Sequence, residues 1–567
     1  MRLLCPSSRA LKNLRTPLSL VRNGTRRFLH NRPQKYNAAV IGAGITGLTA
    51  AYRLSKDPDC EKVTIYEKAS RVGGWLQSET VSVDGGEVVF EYGPRTLRVS
   101  PSCLPLLDLL ADLRLDDQVL VTSNSAPASQ NRYIYYPDHL VRMPGPNKDI
   151  HPILNIIRTL QDLWREPVFE TLVYETVKEF TKEAPKNGHP ADESVTEFIS
   201  RRFSPQVANN LVSGFYHGVL AGDIDRLSAE ALMSTLRRYE LGNPHSVILG
   251  LTAKRPPGQR KFDVDDLLAQ RVLSRRYDQL THKVKDSTTL TLKKGVGQLA
   301  DALVAELSNS TKVDILTDAE VKGIFKVDRG SDIKVDVGDS MPKTHNCVIA
   351  TNSAPELARQ LGNIPSKNGE LPDLPYRSIA ALQAHNYAVT VMVVNMYYEN
   401  PNLVPVKGFG YLIPKSVPVQ QNPERALGVI FASESSVGQD SVRGTKLTVM
   451  LGGHWWDGWK ESDYPDESTA ISMAKSLLER HLGIKDTPAV ARARLQRDAI
   501  PQPVVGHIER MHEISTAVKW DFDNRLTLAG AWYAQGNTGV VDSIRQGYLA
   551  STCHCPYVAV VQELGSG

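Results

Sequence analysis

The chain has 567 residues, 41% of them hydrophobic and 23% charged, with 40 glycines and 34 prolines. That is the composition of an ordinary globular enzyme, and the length exceeds one simple core, which predicts two or three domains. The formal charge of +4 resides in residues 1–35, which hold nine Arg or Lys and no acid; the remainder carries 57 basic against 62 acidic side chains, a balance that argues against nucleic acid as a partner.

Residues 1–35 are Arg-rich, Ser-containing and acid-free, the signature of a mitochondrial transit peptide, with cleavage expected near Arg27 and Phe28. An apolar strand at 38–41 then enters Gly42-Ala43-Gly44-Ile45-Thr46-Gly47, and residues 48–55 favour helix. A second strand, 63–66, delivers Glu67 twenty residues beyond Gly47. This is the dinucleotide fingerprint. Gly42 permits a tight turn, Gly44 lets the backbone approach a pyrophosphate, and Gly47 lets helix and strand pack closely. The helix N-terminus offers unpaired N–H groups to the phosphates, and Glu67 can accept from ribose hydroxyls. Paired glycines follow at Arg71-Val72-Gly73-Gly74-Trp75, then Phe90-Glu91-Tyr92-Gly93-Pro94-Arg95-Thr96. A nicotinamide enzyme has no use for these extensions. A long FAD does, which tilts the cofactor from NAD to FAD.

Residues 131–136 alternate polar and apolar as a half-buried strand would, and 150–250 read as mostly helical. Residues 254–286 are basic and read as a surface insertion. Strands at 289–292, 313–316 and 347–351, with a helix at 299–307, predict a return to the nucleotide-binding domain. Between 375 and 455 strands recur and predict an antiparallel sheet. A last strand at 525–531 leads to Gly536-Asn537-Thr538-Gly539-Val540 and a helical tail. The six cysteines form no CxxC pair or zinc spacing, and Cys553-His554-Cys555 lacks the rest of a site, so no metal is expected. No run reaches the ~18 apolar residues of a membrane-spanning helix, so any membrane contact is expected to be peripheral.

With these stretches in hand, the chain resembles the protoporphyrinogen oxidase family of amine-oxidase-like FAD flavoproteins, from about Tyr36 to Ala550. The fingerprint and GGW are shared across the wider superfamily. FEYGPRTLR (90–98), QNRYIYY (130–136), GFGYLIP (408–414), LGVIFAS (427–433), LTVMLGG (447–453) and LTLAGA (526–531) carry the resemblance more specifically. It implies a fold of three parts. A Rossmann-type α/β FAD-binding domain would be discontinuous, over 36–125, 287–365 and 501–567. An antiparallel-sheet substrate domain would take 126–149 and 366–500, and a helical, membrane-associating domain 150–286.

The resemblance also implies that Gly42, Ala43, Gly44, Ile45, Thr46, Gly47, Glu67, Gly74 and Trp75 hold FAD. Gly93, Pro94, Arg95, Thr96, Val321, Ala531, Thr538, Gly539 and Val540 would join them. Arg132 would pair with a substrate propionate, and Phe409, Leu412, Ile430 and Met450 would line the macrocycle. Gly218 would lie near the reacting carbon by its backbone. No side chain is assigned acid–base work, because the flavin takes hydride directly and passes electrons to O₂, giving H₂O₂. A homodimer on the mitochondrial inner membrane, handing protoporphyrin to ferrochelatase, is implied in the same way. The alternatives are a flavin amine oxidase on the same scaffold and a non-catalytic porphyrin carrier that retains FAD.

Overall fold

The computed structural model describes residues 35–552 apart from 101–102, 146–160, 162, 183–187, 189, 243–245, 253–277, 327–331, 339–340, 364–373 and 537. The transit-peptide reading, most of the basic insertion and the Cys553–Cys555 tract therefore fall outside the described residues. β1 (Tyr36–Ile41) lies between two parallel neighbours, which is why its apolar run is continuous rather than alternating. Ala38 and Val40 enter one core, and Ala39 and Ile41 the other. The chain turns at Gly42, whose φ of +98° favours glycine, and enters α1 (Ile45–Ser55). At Gly47 a Cβ would lie 2.0 Å from the Gly42 carbonyl oxygen, so helix and turn can pack only without a side chain there. β2 (Cys60–Tyr66) then runs parallel to β1.

β3 (Leu97–Arg98) and β4 (Val119–Ser123) frame a small sheet completed later in the chain. β5 (Tyr133–Tyr135) and β6 (Leu140–Arg142) form a hairpin. The expected half-buried alternation fails here: Tyr133, Ile134 and Tyr135 are all buried. The two tyrosines face the core of a large sheet, while Ile134 packs with Val168 and Phe169 on the opposite side, so both faces are covered. The helical stretch includes α2 (Leu172–Glu179) and α3 (Ser213–Leu220); the glycines at 214 and 218 lie within α3 rather than in turns.

β7 (Ser287–Leu292) inserts between β3 and β4 in a separate small sheet, while its Leu290 and Leu292 enter the same core as Ala38 and Val40 of β1. β8 (Val313–Leu316) and β9 (Cys347–Ala350) do join it, pairing parallel with β2 and β1. Then come β10 (Ala388–Tyr398), β11 (Gly410–Leu412), β12 (Ala426–Phe431), β13 (Thr445–Gly452) and β14 (Val490–Pro501). β15 (Leu526–Leu528) adds to β9, and α4 (Val540–Thr552) packs on α1.

The molecule is thus mixed α/β, with a five-stranded parallel sheet in the order β8-β2-β1-β9-β15. A seven-stranded sheet runs β14-β10-β13-β12-β11-β5-β6. The second sheet is antiparallel, as expected of 375–455, except where β5 runs parallel to β11. Three side chains of this sheet grip the backbone leading from the first. Lys446 Nζ donates to the Val89 carbonyl (2.9 Å), Asn395 Nδ2 to Glu91 (2.9 Å) and Gln496 Nε2 to Tyr92 (2.8 Å). Among the described residues no helix is long and apolar enough to cross a membrane.

Candidate active site

At the end of β1 the first turn of α1 has no capping side chain and no acidic residue, so its N–H groups remain free for an anion. Gly44 and Gly74 face one another: a Cβ on Gly44 would meet only the Gly74 Cα, at 4.0 Å. Gly73 donates to the Ala43 carbonyl (2.8 Å), which fixes the second glycine loop beside the first. Arg71 holds that loop by donating to the carbonyls of Val72, Leu76 and Gly74, which is a structural task rather than a phosphate contact. Glu67 accepts from the Ala43 N–H (2.8 Å) and the Ala69 N–H (2.9 Å), leaving lone pairs on both oxygens.

The remaining expected cofactor residues sit around this cradle in part. Ala319 donates to the Glu67 carbonyl (2.9 Å), which brings Val321 near the acidic end. Gly530, just before Ala531, stands 3.6 Å by its virtual Cβ from Thr46 Oγ1. Thr538, Gly539 and Val540 open α4, the helix packed on α1. Gly93 fits only because it lacks a side chain: a Cβ would be 2.1 Å from the Trp75 carbonyl oxygen. The Trp75 side chain is exposed.

Arg95 is different. Its guanidinium is fully buried in a small interior cavity with Glu91, Asn395, Gln439 and Lys446, its Nη2 has no hydrogen-bond partner, and burial pushes its pKa down to about 10. The Arg95 side chain therefore belongs to the junction between the two sheets, and the cradle is left its backbone.

In the seven-stranded sheet, β11, β12 and β13 are buried except at Leu412, Ile430 and Met450. Pairing explains why these three belong together. Leu412 is opposite Gly428, Gly428 is opposite Met450, and Ile430 is two residues along, so all point to one face. The other face carries Tyr411, Val429, Phe431, Leu447, Val449 and Leu451 and is packed into the core. Gly218 closes on the open face, since a Cβ there would meet Leu412 Cδ2 at 2.6 Å. At the neighbouring strand end, the Arg132 guanidinium carbon lies 5.6 Å from the Phe409 ring centroid. Arg132 is exposed, and among the described residues no carboxylate pairs with it. Partial desolvation, with Arg98's charge adding, lowers its pKa from the ordinary arginine value.

Two histidines that sequence reasoning missed lock this arrangement. His217, beside Gly218, donates through Nδ1 to the Ile413 carbonyl (2.6 Å), so its Nε2 must accept from His454 Nε2 (2.9 Å). The His454 backbone N–H separately donates to the Ala221 carbonyl at the end of α3 (2.9 Å). Burial pushes His217 down to about 3, with His454 adding, and pushes His454 down to about 4, with Lys415 adding. The pair is 237 residues apart in the chain, and no spacing rule could have joined it.

Fold and site together define a flavin-dependent oxidoreductase. The sequence profile of the family described as "Flavin containing amine oxidoreductase" matches residues 45–553. Protoporphyrinogen oxidase from Schizosaccharomyces pombe is 30% identical over 519 residues, covering 90% of this chain and 96% of the relative. The Homo sapiens protoporphyrinogen oxidase is 31% identical over 522 residues, covering 90% and 97%. A solved structure from an Exiguobacterium species superposes with TM-score 0.67 at 18% identity, covering 92% of this chain and 98% of that one, and shows the fold alone. The chain belongs to the protoporphyrinogen oxidases, within the flavin-containing amine oxidoreductase family.

Two predictions follow from this geometry. Gly44→Val fills the space between Gly44 and Gly74 without touching the fold's core, so the purified variant is expected to keep its secondary structure and lose bound FAD. Flavin absorbance equal to wild type would overturn the cradle. The histidine pair predicts acid sensitivity. Both folded-state pKa values lie below the ordinary imidazole value of 6.5, so the unfolded chain binds protons first. Their stability contribution is whole above about pH 6.5 and is lost as pH falls toward about 4 and then 3. Tm measured down that range is expected to fall less steeply in His454→Gln than in wild type; identical slopes would contradict the reading.

Proposed function

We propose that this chain oxidises protoporphyrinogen IX to protoporphyrin IX, the penultimate reaction of haem biosynthesis. The observation that carries the reading is an arginine without an acid partner, Arg132 on Phe409, at the rim of an all-apolar face made by Leu412, Ile430 and Met450. A ligand suited to both is large, apolar and anionic at its edge. The family relationship over nearly the whole chain supports the same substrate.

FAD, when bound, would supply the electron acceptor, accepting two electrons from the macrocycle in each of three rounds and passing each pair to O₂, so that three O₂ become three H₂O₂ over the six-electron oxidation. Gly42, Ala43, Gly44, Ile45, Thr46 and Gly47 would hold its phosphates, and Glu67 and Val321 its adenosine end. Gly74, Trp75, Gly93, Pro94, the Arg95 backbone, Thr96, Ala531, Thr538, Gly539 and Val540 would hold the rest. The protein's remaining work is positioning. Arg132 pairs with a propionate through its planar fork, and the three apolar side chains exclude water from the ring. Gly218 brings backbone to the reacting carbon, which a Cβ would obstruct.

The proposal extends to location. Residues 1–35 would direct mitochondrial import, and the 150–286 region would rest on the inner membrane from the intermembrane-space side. Its support is α2, where Val173, Tyr174 and Val177, with Phe180 just beyond, expose 43–66% of their surfaces along one side of a single helix. Homodimerisation and hand-over of protoporphyrin to ferrochelatase belong to the same reading and rest on the family resemblance.

Anaerobic titration with protoporphyrinogen is the decisive experiment: the bound flavin is expected to bleach, and to stay oxidised with amines. Arg132→Ala should retain flavin and lose about 10- to 150-fold in kcat/KM, the equivalent of roughly 1.5–3 kcal/mol for a charge-assisted pair. Arg132→Lys should recover part of it. A wild-type flavin indifferent to protoporphyrinogen would overturn the reading. For the membrane, Val177→Asp is expected to abolish co-flotation with vesicles while leaving detergent-solubilised turnover intact; unchanged flotation would remove α2 as the contact.

A further inference from the structure

Arg132 accounts for one carboxylate, and protoporphyrinogen IX carries two propionates, on neighbouring pyrrole rings. We propose that Arg98 is the anchor of the second, an inference that rests on the substrate reading above. Arg98 ends β3 and is exposed, while the preceding Leu97 is buried, so its side chain leaves the small sheet toward solvent. Its strand partner is Thr289 of β7.

The next residue of β7's edge ties the two arginines into one ledge. The Thr288 carbonyl accepts from the Val99 N–H (2.9 Å), directly after Arg98. The Thr288 hydroxyl is hydrogen-bonded to the Ser129 hydroxyl (2.6 Å), three residues before Arg132. Arg98 is close enough that its charge helps lower the pKa of Arg132. Two cations on strands tied together through Thr288 repel, and an acid between them would ordinarily offset that. Here, among the described residues, neither forms an ion pair with a carboxylate. An arrangement of that kind is unfavourable in the free protein and is relieved by a ligand with two negative groups at matching separation. One macrocycle with two adjacent propionates is such a ligand.

The pairing makes a demand that a general positive field would not. Each arginine should read a different propionate, and the two monomethyl esters of protoporphyrinogen IX separate them. Kinetics are measured with flavin-loaded wild type, Arg98→Gln, Arg98→Lys and Arg132→Gln, using the diacid and both monoesters. Wild type is expected to lose about 10-fold in KM on either esterification. Arg98→Gln should show a diacid KM raised by about the same factor, unchanged flavin content and nearly unchanged kcat. It should become indifferent to esterification of one propionate and remain sensitive to the other. Arg132→Gln should show the opposite choice of monoester, and Arg98→Lys should fall between wild type and Arg98→Gln.

Lys407 is the control for charge alone. Its carbonyl accepts from Asn131, so it is a near neighbour of the same sign, and Lys407→Gln should retain wild-type discrimination between diacid and monoesters. Arg98→Gln that discriminates as wild type does, or Lys407→Gln that loses as much, overturns the second anchor while leaving the substrate reading intact. Wild type that fails to oxidise the diacid overturns both.

Discussion

Where α1 leaves the glycine turn, it passes so close to the Gly42 carbonyl that a Cβ on Gly47 would stand 2.0 Å from the oxygen. Much of the cradle depends on that approach. It sets the free N–H groups of the first turn over the carboxyl end of β1, where a parallel sheet presents ligands to its edge. It also lets α4 cross α1 closely, because Gly547 likewise lacks the Cβ that would meet the Thr46 carbonyl at 2.7 Å. A side chain at either position would lift one helix off the other. The proposed cofactor site is in this sense a packing consequence: two missing side chains let the helices that start near residues 42–47 and 538–540 pack closely.

The second constraint is the seam between the sheets. Glu91 accepts from Ser78 Oγ (2.6 Å) and from the Val296 N–H (2.7 Å), while its own carbonyl is held by Asn395. Burial raises the Glu91 carboxyl to about 7, with Ser78, Val296, Arg95 and Lys446 opposing that rise. Charged groups so deep are costly unless paired, and here they fasten the strand that runs from the cradle to the sheet carrying the apolar wall. Within the seam the Glu91 charge favours the Arg95 guanidinium, while Lys446 opposes it. The distance between the glycine turn and Leu412 is thus set by side chains that touch neither ligand.

The wall itself is a matter of register. Gly428 lies between Leu412 and Met450 and contributes no side chain, so the strand it occupies adds room rather than bulk on that face. On the opposite face the same strands are packed with aromatic and branched residues against the helix Glu467–Leu482. One side is full, while on the other Leu412, Ile430 and Met450 remain partly exposed, the face proposed to receive the macrocycle. The His217–His454 hydrogen bond holds α3 against that open side, and its neutral state at ordinary pH keeps two charges out of an apolar contact.

By itself the sequence determined many of the local elements, including the glycine turn, the helix after it and the strand that delivers Glu67. Glycine positions, apolar runs and the spacing to Glu67 are all properties of consecutive residues, and backbone sterics read them directly. The alternation in β14, Ala491-Arg492-Ala493-Arg494, is likewise a property of consecutive residues. Resemblance supplied the names Arg132, Leu412, Ile430 and Met450, because a single partly exposed residue in a strand looks like any core residue from its own neighbours. Only the tertiary structure decided that Leu412, Ile430 and Met450 share a face, that β7 belongs to a separate sheet, that Arg95 turns into the seam, and that His217 meets His454. Each is a contact between distant segments, fixed by strand register and by which faces are already covered, and neither is encoded in any local stretch of chain.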